Sequence, residues 1–237
     1  MNTYNLFYSG SYILVAIGAL ICLIASLNVK ATYNRYNKVR SSSGKTAEQV
    51  AEEILHSAGI YDVQIERIPG NLSDHYAPNE KVLRLSDSVY GSTSVAAIGV
   101  AAHECGHAIQ HKEEYGPLKL RSASVPVANI GSKIYWPFII LGLILGSVGL
   151  AEVGVVLFLA VVLFQLITLP VEFDASHRAL RVLSERNILV GTEHDGAKKV
   201  LTAAALTYVA SLLSSILQLL RLIAIARGAG GSSRRSR

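Results

Sequence analysis

The sequence predicts a mainly α, multi-pass membrane protein that carries a small α+β domain on the cytoplasmic side of the bilayer. Three observations predict it. Of the 237 residues, 51% are hydrophobic and the mean hydropathy is +0.37, high for a soluble domain. The apolar residues are clustered into runs at 6–29, 134–169 and 200–220. Between the first two runs lies about a hundred residues of ordinary soluble composition, enough for a small core.

Residues 1–29 read as one transmembrane anchor, since roughly 20 apolar residues cross a bilayer as a helix. A cleaved signal peptide fits less well: no charge precedes Leu6, and Ala25-Ser26-Leu27-Asn28 is a poor cleavage site. The run at 134–169 is too long for one span and reads as a two-span hairpin, turning near Gly146-Ser147-Val148-Gly149. Residues 200–226 form a last hydrophobic helix, interrupted by Arg221, that spans the membrane or lies embedded in it. The basic tail, 227–237, carries Arg227, Arg234, Arg235 and Arg237. It reads as a disordered end that touches anionic lipid, and not as a nucleic-acid arm.

Lysine and arginine set the orientation. None precedes the first span, whereas Lys30, Arg35, Lys38, Arg40 and Lys45 follow it, and Arg178, Arg181 and Arg186 follow the third. The segments 30–133 and 170–199 are therefore expected in the cytoplasm of a cell-membrane protein. Only the basic tail disagrees with a full fourth span. The two cysteines, Cys22 and Cys105, are expected unpaired, as in a reducing compartment.

Within 30–133, Ser41-Ser42-Ser43-Gly44 is a linker, and Thr46-Ala47-Glu48-Gln49 opens a helix as a capping box. Gly59 ends that helix. Tyr61–Ile68 and Lys81–Ser86 alternate as strands, separated by turns at Pro69-Gly70-Asn71 and Ala77-Pro78-Asn79-Glu80. Ser92, Thr93 or Ser94 caps the next helix, which runs to about Lys112.

That helix contains His103-Glu104-Cys105-Gly106-His107. Residues four apart share a helix face, so two imidazoles can hold one Zn²⁺. Glu104, at the edge of that face, can take a proton from a metal-bound water. Ala96, Ala97, Gly99, Ala101 and Ala102 keep the preceding turns small, so other segments can pack close. A His-Glu pair in such an apolar helix is costly to bury unless something satisfies it. Cys105 points away from the histidine face.

A catalytic zinc site normally has three protein ligands and an open position. His111 lies about 12 Å from His103 along the helix and cannot share a small ion. The spacing of metalloproteases with a third histidine would need Gly at 110 and His at 113, which are Gln110 and Glu113 here. A carboxylate after the third span, Glu172 or Asp174, completes a His₂-carboxylate set, with Pro170 near an expected helix start.

The runs Asp74-His75-Tyr76, Lys81–Ser86, Val89–Ser92, Ala96–Gln110 and Pro117–Arg121, with Leu169–Arg181, resemble the membrane-bound neutral zinc metallopeptidases of the YugP type. The resemblance covers nearly the whole chain. A looser likeness is to the HtpX and CAAX-protease type of membrane metalloprotease. In those, the third ligand is the Glu of a Glu-aromatic-x-Ala-Asp motif, which Glu172-Phe173-Asp174-Ala175-Ser176 matches up to its last position. The likeness implies His103, His107 and Glu172 as ligands of one Zn²⁺ per chain, in a zincin-like, gluzincin-like domain. The closing Asp, which orients a ligating histidine, is Ser176 here, so Asp174, Ser176 or an upstream residue takes that role.

The expected activity is that of a zinc-dependent endopeptidase in which Glu104 activates a zinc-bound water. Its substrates would be misfolded or membrane-associated proteins. His75, Tyr76, His177, Arg178 and Arg181 are candidates for a second electrophile. The strand near Val82–Leu85 is read either as an edge for an extended substrate or as a core strand. Expected partners are a protein or peptide substrate and the lipid bilayer, with no nucleic acid, and a homo-oligomer is compatible with the sequence. The alternative is a non-catalytic, metal-stabilised membrane scaffold or adaptor, which has no need of Glu104. A transporter is disfavoured because the spans carry few ionisable residues.

Overall fold

The computed structural model describes residues 3–233, and the side chains of residues 12–227. Arg234, Arg235 and Arg237 of the basic tail lie outside the described residues. The elements are α1 (Thr3–Tyr36), α2 (Ala47–Ser57), β1 (Gln64–Ile68), β2 (His75–Ala77), β3 (Val82–Ser86), α3 (Val95–Lys112), α4 (Gly116–Ile144), α5 (Val148–Glu185) and α6 (Thr192–Ser233). Among the described residues, four helices are long and apolar enough to cross a membrane: Tyr12–Tyr36, Gly116–Ile144, Val148–Glu185 and Thr192–Arg227.

The chain divides into two compact units. One holds the described residues up to Ala25, Leu120–Leu169 and those from Thr207 on. It is helical throughout, around Ile139, Phe158, Val162, Leu212, Leu222 and Ile225. Small residues set its closest approaches: a Cβ on Gly142 would lie 2.6 Å from the backbone nitrogen of Ala151, the kind of contact through which membrane helices associate. The turn between α4 and α5 uses Gly146 at φ +61°, as the Gly-Ser-Val-Gly stretch suggests. Arg221, which interrupts the last apolar run, stacks over the ring of Tyr12 at 4.6 Å.

The other unit, Ser26–Lys119 with Pro170–Leu206, is the α+β part. Its three-stranded sheet has the order β1-β3-β2, with β1 parallel and β2 antiparallel to β3. Leu83 and Leu85 of β3, Val50, Ile54 and Leu55 of α2, and Ile98, Ala101 and Cys105 of α3 share one core, joined by Leu183 of α5 and Leu189. Helix α2 opens as the sequence indicates, with the Thr46 N–H donating to Gln49 Oε1 at 3.0 Å. Helix α3 is capped by Ser94, whose Oγ accepts the Ala97 N–H at 3.1 Å.

Of the two readings of the strand Val82–Ser86, the core strand holds: it is the central strand, and its side chains are nearly all buried. The edge beside it is β2, a three-residue strand too short to alternate visibly. Two expectations are corrected. Pro170 does not start a helix but lies inside α5. A proline removes one backbone hydrogen bond, and the long apolar helix before it carries α5 through. Helix α4 likewise begins at Gly116, well before the apolar run at 134, with Pro126 and Pro137 inside it.

Candidate metal centre

Helix α3 presents His103 and His107 one turn apart, with ring centroids 4.8 Å apart and planes nearly perpendicular. Helix α5 crosses this face closely. A Cβ on Gly106 would lie 2.4 Å from the carbonyl oxygen of Ala175, so only glycine at 106 permits the approach. A glycine inside a helix costs about 1 kcal/mol against alanine, and that cost is the sequence signal of a close crossing. The crossing brings Glu172 to the histidines. Its Oε2 lies 3.3 Å from His103 Nε2 and 3.7 Å from His107 Nε2. One ligand atom from each residue falls within 4.8 Å of the other two, and Glu172 is only 2% exposed.

The far side of each imidazole is held. His103 Nδ1 lies 3.0 Å from Ser176 Oγ, and His107 Nδ1 lies 3.0 Å from Gln110 Oε1. An amide oxygen can only accept, so His107 donates from Nδ1 and its Nε2 lone pair is left for a metal. Gln110 is fully buried and is itself fixed, because Nε2 donates to Val171 O and to Asp174 Oδ2, both at 2.8 Å. Arg178 then pairs with Asp174 and with Glu113, and lies over the Tyr115 ring. Asp174 is thereby turned from the ligand cluster into a support of Gln110. Ser176 takes the place that the looser family likeness assigns to an aspartate. Sequence reading missed Gln110, although its position three residues after His107 puts it within reach on the helix surface.

Glu104 is buried beside this group, and its Oε2 accepts the Tyr76 N–H of β2 at 3.0 Å. Burial pushes its carboxyl above the ordinary range, against the pull of His103 and His107. Burial works against the charged form of His107, but Glu172 and Glu104 outweigh it and hold this imidazole above its ordinary value. Asp74 anchors β2 by accepting Ser86 N–H and Oγ–H at 2.7 and 2.9 Å. The Tyr76 hydroxyl meets His111 Nδ1 at 2.9 Å.

The remaining candidates lie elsewhere. His75 is exposed, with Nδ1 2.9 Å from Ser73 O. Among the described residues, exposed Arg181 reaches only Glu185, at 4.0 Å, and the His177 side chain makes no hydrogen bond or ion pair. Cys105 faces the core, where its Sγ–H donates to Ala51 O at 3.5 Å and burial raises the thiol well above its usual range.

Two imidazole nitrogens and a carboxylate, with a buried glutamate beside them, match the nitrogen and oxygen ligand set of catalytic zinc. Four membrane-length helices joined to such a cluster have the make-up of an integral-membrane metallopeptidase. A family model described as "Putative neutral zinc metallopeptidase" matches residues 11–227, and the chain belongs to that family. It is 46% identical over 215 residues to a Bacillus subtilis (strain 168) protein described as "Putative membrane protease YugP", covering 90% of this chain and 96% of that one. No solved structure matches.

Proposed function

We propose that the protein is a zinc-dependent endopeptidase of the cell membrane, with its zincin-like, gluzincin-like site on the cytoplasmic side. The observation that carries this reading is the Glu172 carboxylate set against both Nε2 atoms of the His-Glu-x-x-His helix. His103, His107 and Glu172 would hold the zinc, which when bound supplies Lewis-acid chemistry that acidifies water and polarises a carbonyl. Ser176 and Gln110 fix the imidazole rings so that their Nε2 atoms converge. Glu104, with Oε2 held by Tyr76, takes the proton of the attacking water at Oε1 and returns it to the leaving amine. An extended peptide laid along the edge strand β2 would run beside Glu104. A non-catalytic scaffold would not need a buried carboxylate at this place. The lysines and arginines that follow the first and third spans, Lys30 to Lys45 and Arg178 to Arg186, support the cytoplasmic assignment.

The ring supports carry a prediction of their own. Ser176→Ala and Gln110→Leu should each weaken zinc binding by about 10–100-fold, as read by competition with a chromogenic chelator. Unchanged affinity in both would leave these hydrogen bonds without a role in holding the metal.

The reaction class is tested by mass spectrometry of the products from an unstructured protein such as casein, incubated with the full chain in detergent. Cuts inside the substrate chain, absent after chelation and restored by zinc, are expected. Release of terminal residues alone would make the enzyme an exopeptidase. An intact substrate, together with an intact membrane-anchored substrate bearing an unfolded tail, would overturn the endopeptidase reading.

A further inference from the structure

A second, separate feature of the α+β unit is an open groove of about 480 Å³ between the end of α1 and the start of α6. Its lining includes the cations Arg35, Lys198 and Lys199, with Asp195 as its only carboxylate. Asn28, Thr32 and Thr202 add neutral hydrogen-bonding groups, and Ala203 and Leu206 form an apolar end. The helices meet tightly here, since a Cβ on Gly196 would lie 2.7 Å from the Tyr36 ring. Behind the groove, Tyr33 and Val200 are buried against Ala96 of α3, so its wall is part of the core.

Among the described residues, none of Arg35, Lys198 and Lys199 is in an ion pair. Arg35 lies beside the Tyr36 ring, its guanidinium carbon 5.6 Å from the centroid, which leaves its N–H groups for a ligand. The groove is also graded. Lys198 and Leu206 are eight residues apart on one helix, about 12 Å along its axis. On α1, the residue just before Asn28 is exposed and apolar: Leu27 is 58% exposed. Both helices are long and apolar enough to cross a membrane, so the groove runs from cations to lipid-compatible surface.

We propose that this groove binds the phosphate diester of an anionic phospholipid, with the phosphate among Arg35, Lys198 and Lys199 and the start of an acyl chain along Leu206. A free phosphate ion shares the headgroup chemistry but gains nothing from the apolar end. General attraction between basic residues and an anionic membrane surface differs too, because it depends on the number of charges and not on their place.

The test uses the full chain in a neutral detergent, with native mass spectrometry and thermal unfolding as readouts. The probes are short-chain phosphatidylglycerol, phosphatidylcholine of the same chain length, and inorganic phosphate. Phosphatidylglycerol should bind and raise the unfolding temperature, and phosphatidylcholine should do neither. Lys198→Gln/Lys199→Gln should weaken phosphatidylglycerol binding by roughly 30-fold, taking about 1 kcal/mol for each basic residue. Lys30→Gln/Lys38→Gln, which removes the same charge from exposed α1 and linker positions outside the groove, should leave it unchanged. Equal losses in the two double variants, or equal binding of the two lipids, would overturn the site. Inorganic phosphate binding as tightly as the lipid would overturn the lipid assignment and leave a site for a soluble phosphate.

Discussion

Glu104→Gln is expected to retain zinc and to lose proteolysis by about 10²–10⁴-fold. The amide has nearly the same shape, and its oxygen can still accept the Tyr76 N–H that Glu104 Oε2 accepts now. It cannot take a proton. The substitution also removes a carboxylate whose charged form is disfavoured by burial, so the fold should be as stable as before or more so. Cleavage rate and metal content on the same preparation check this. A variant that cuts at the full rate would assign proton transfer to another group.

Glu172→Ala is expected to lose zinc and, with it, all measurable cleavage. The loss in affinity should exceed the roughly 10–100-fold that removal of an outer hydrogen-bond partner costs, because a ligand itself is gone. Nothing nearby replaces it. Asp174, two residues on, has its carboxylate committed to Gln110 and Arg178, and Cys105 faces Ala51 in the core. The measurement is zinc per chain after dialysis, with circular dichroism to confirm that the helices persist. Retention of zinc at the wild-type level would place the third ligand elsewhere.

The sequence made some of this architecture legible and hid the rest for physical reasons. The helix of His103 and His107 could be read from a spacing that only one geometry explains, and its start from the serine cap at Ser94. Apolar length found the long helices but not their ends. A helix that continues past the apolar run, as α4 does back to Gly116, leaves no hydropathy signal there. Pro170 misled because the local cost of a proline is small beside the hydrogen bonds of a helix as long as α5. Strand β2 was hidden because three residues cannot show a period of two, and its partnership with Glu104 is made by a backbone N–H that any residue supplies. The residues alone left Glu172 and Asp174 open, and the family likeness favoured Glu172. The physical separation is the crossing of α3 and α5 at Gly106, which puts Glu172 on the imidazoles and Asp174 on Gln110.

The central claim is that two histidines of α3 and one glutamate of α5 bind a single zinc. X-ray absorption at the zinc edge, on the purified full chain, tests it directly. The account predicts about one zinc per chain, surrounded by two imidazole nitrogens and oxygen ligands at about 2.0–2.2 Å, with no sulfur. A sulfur shell near 2.3 Å, or a chain that takes up no zinc at all, would contradict it.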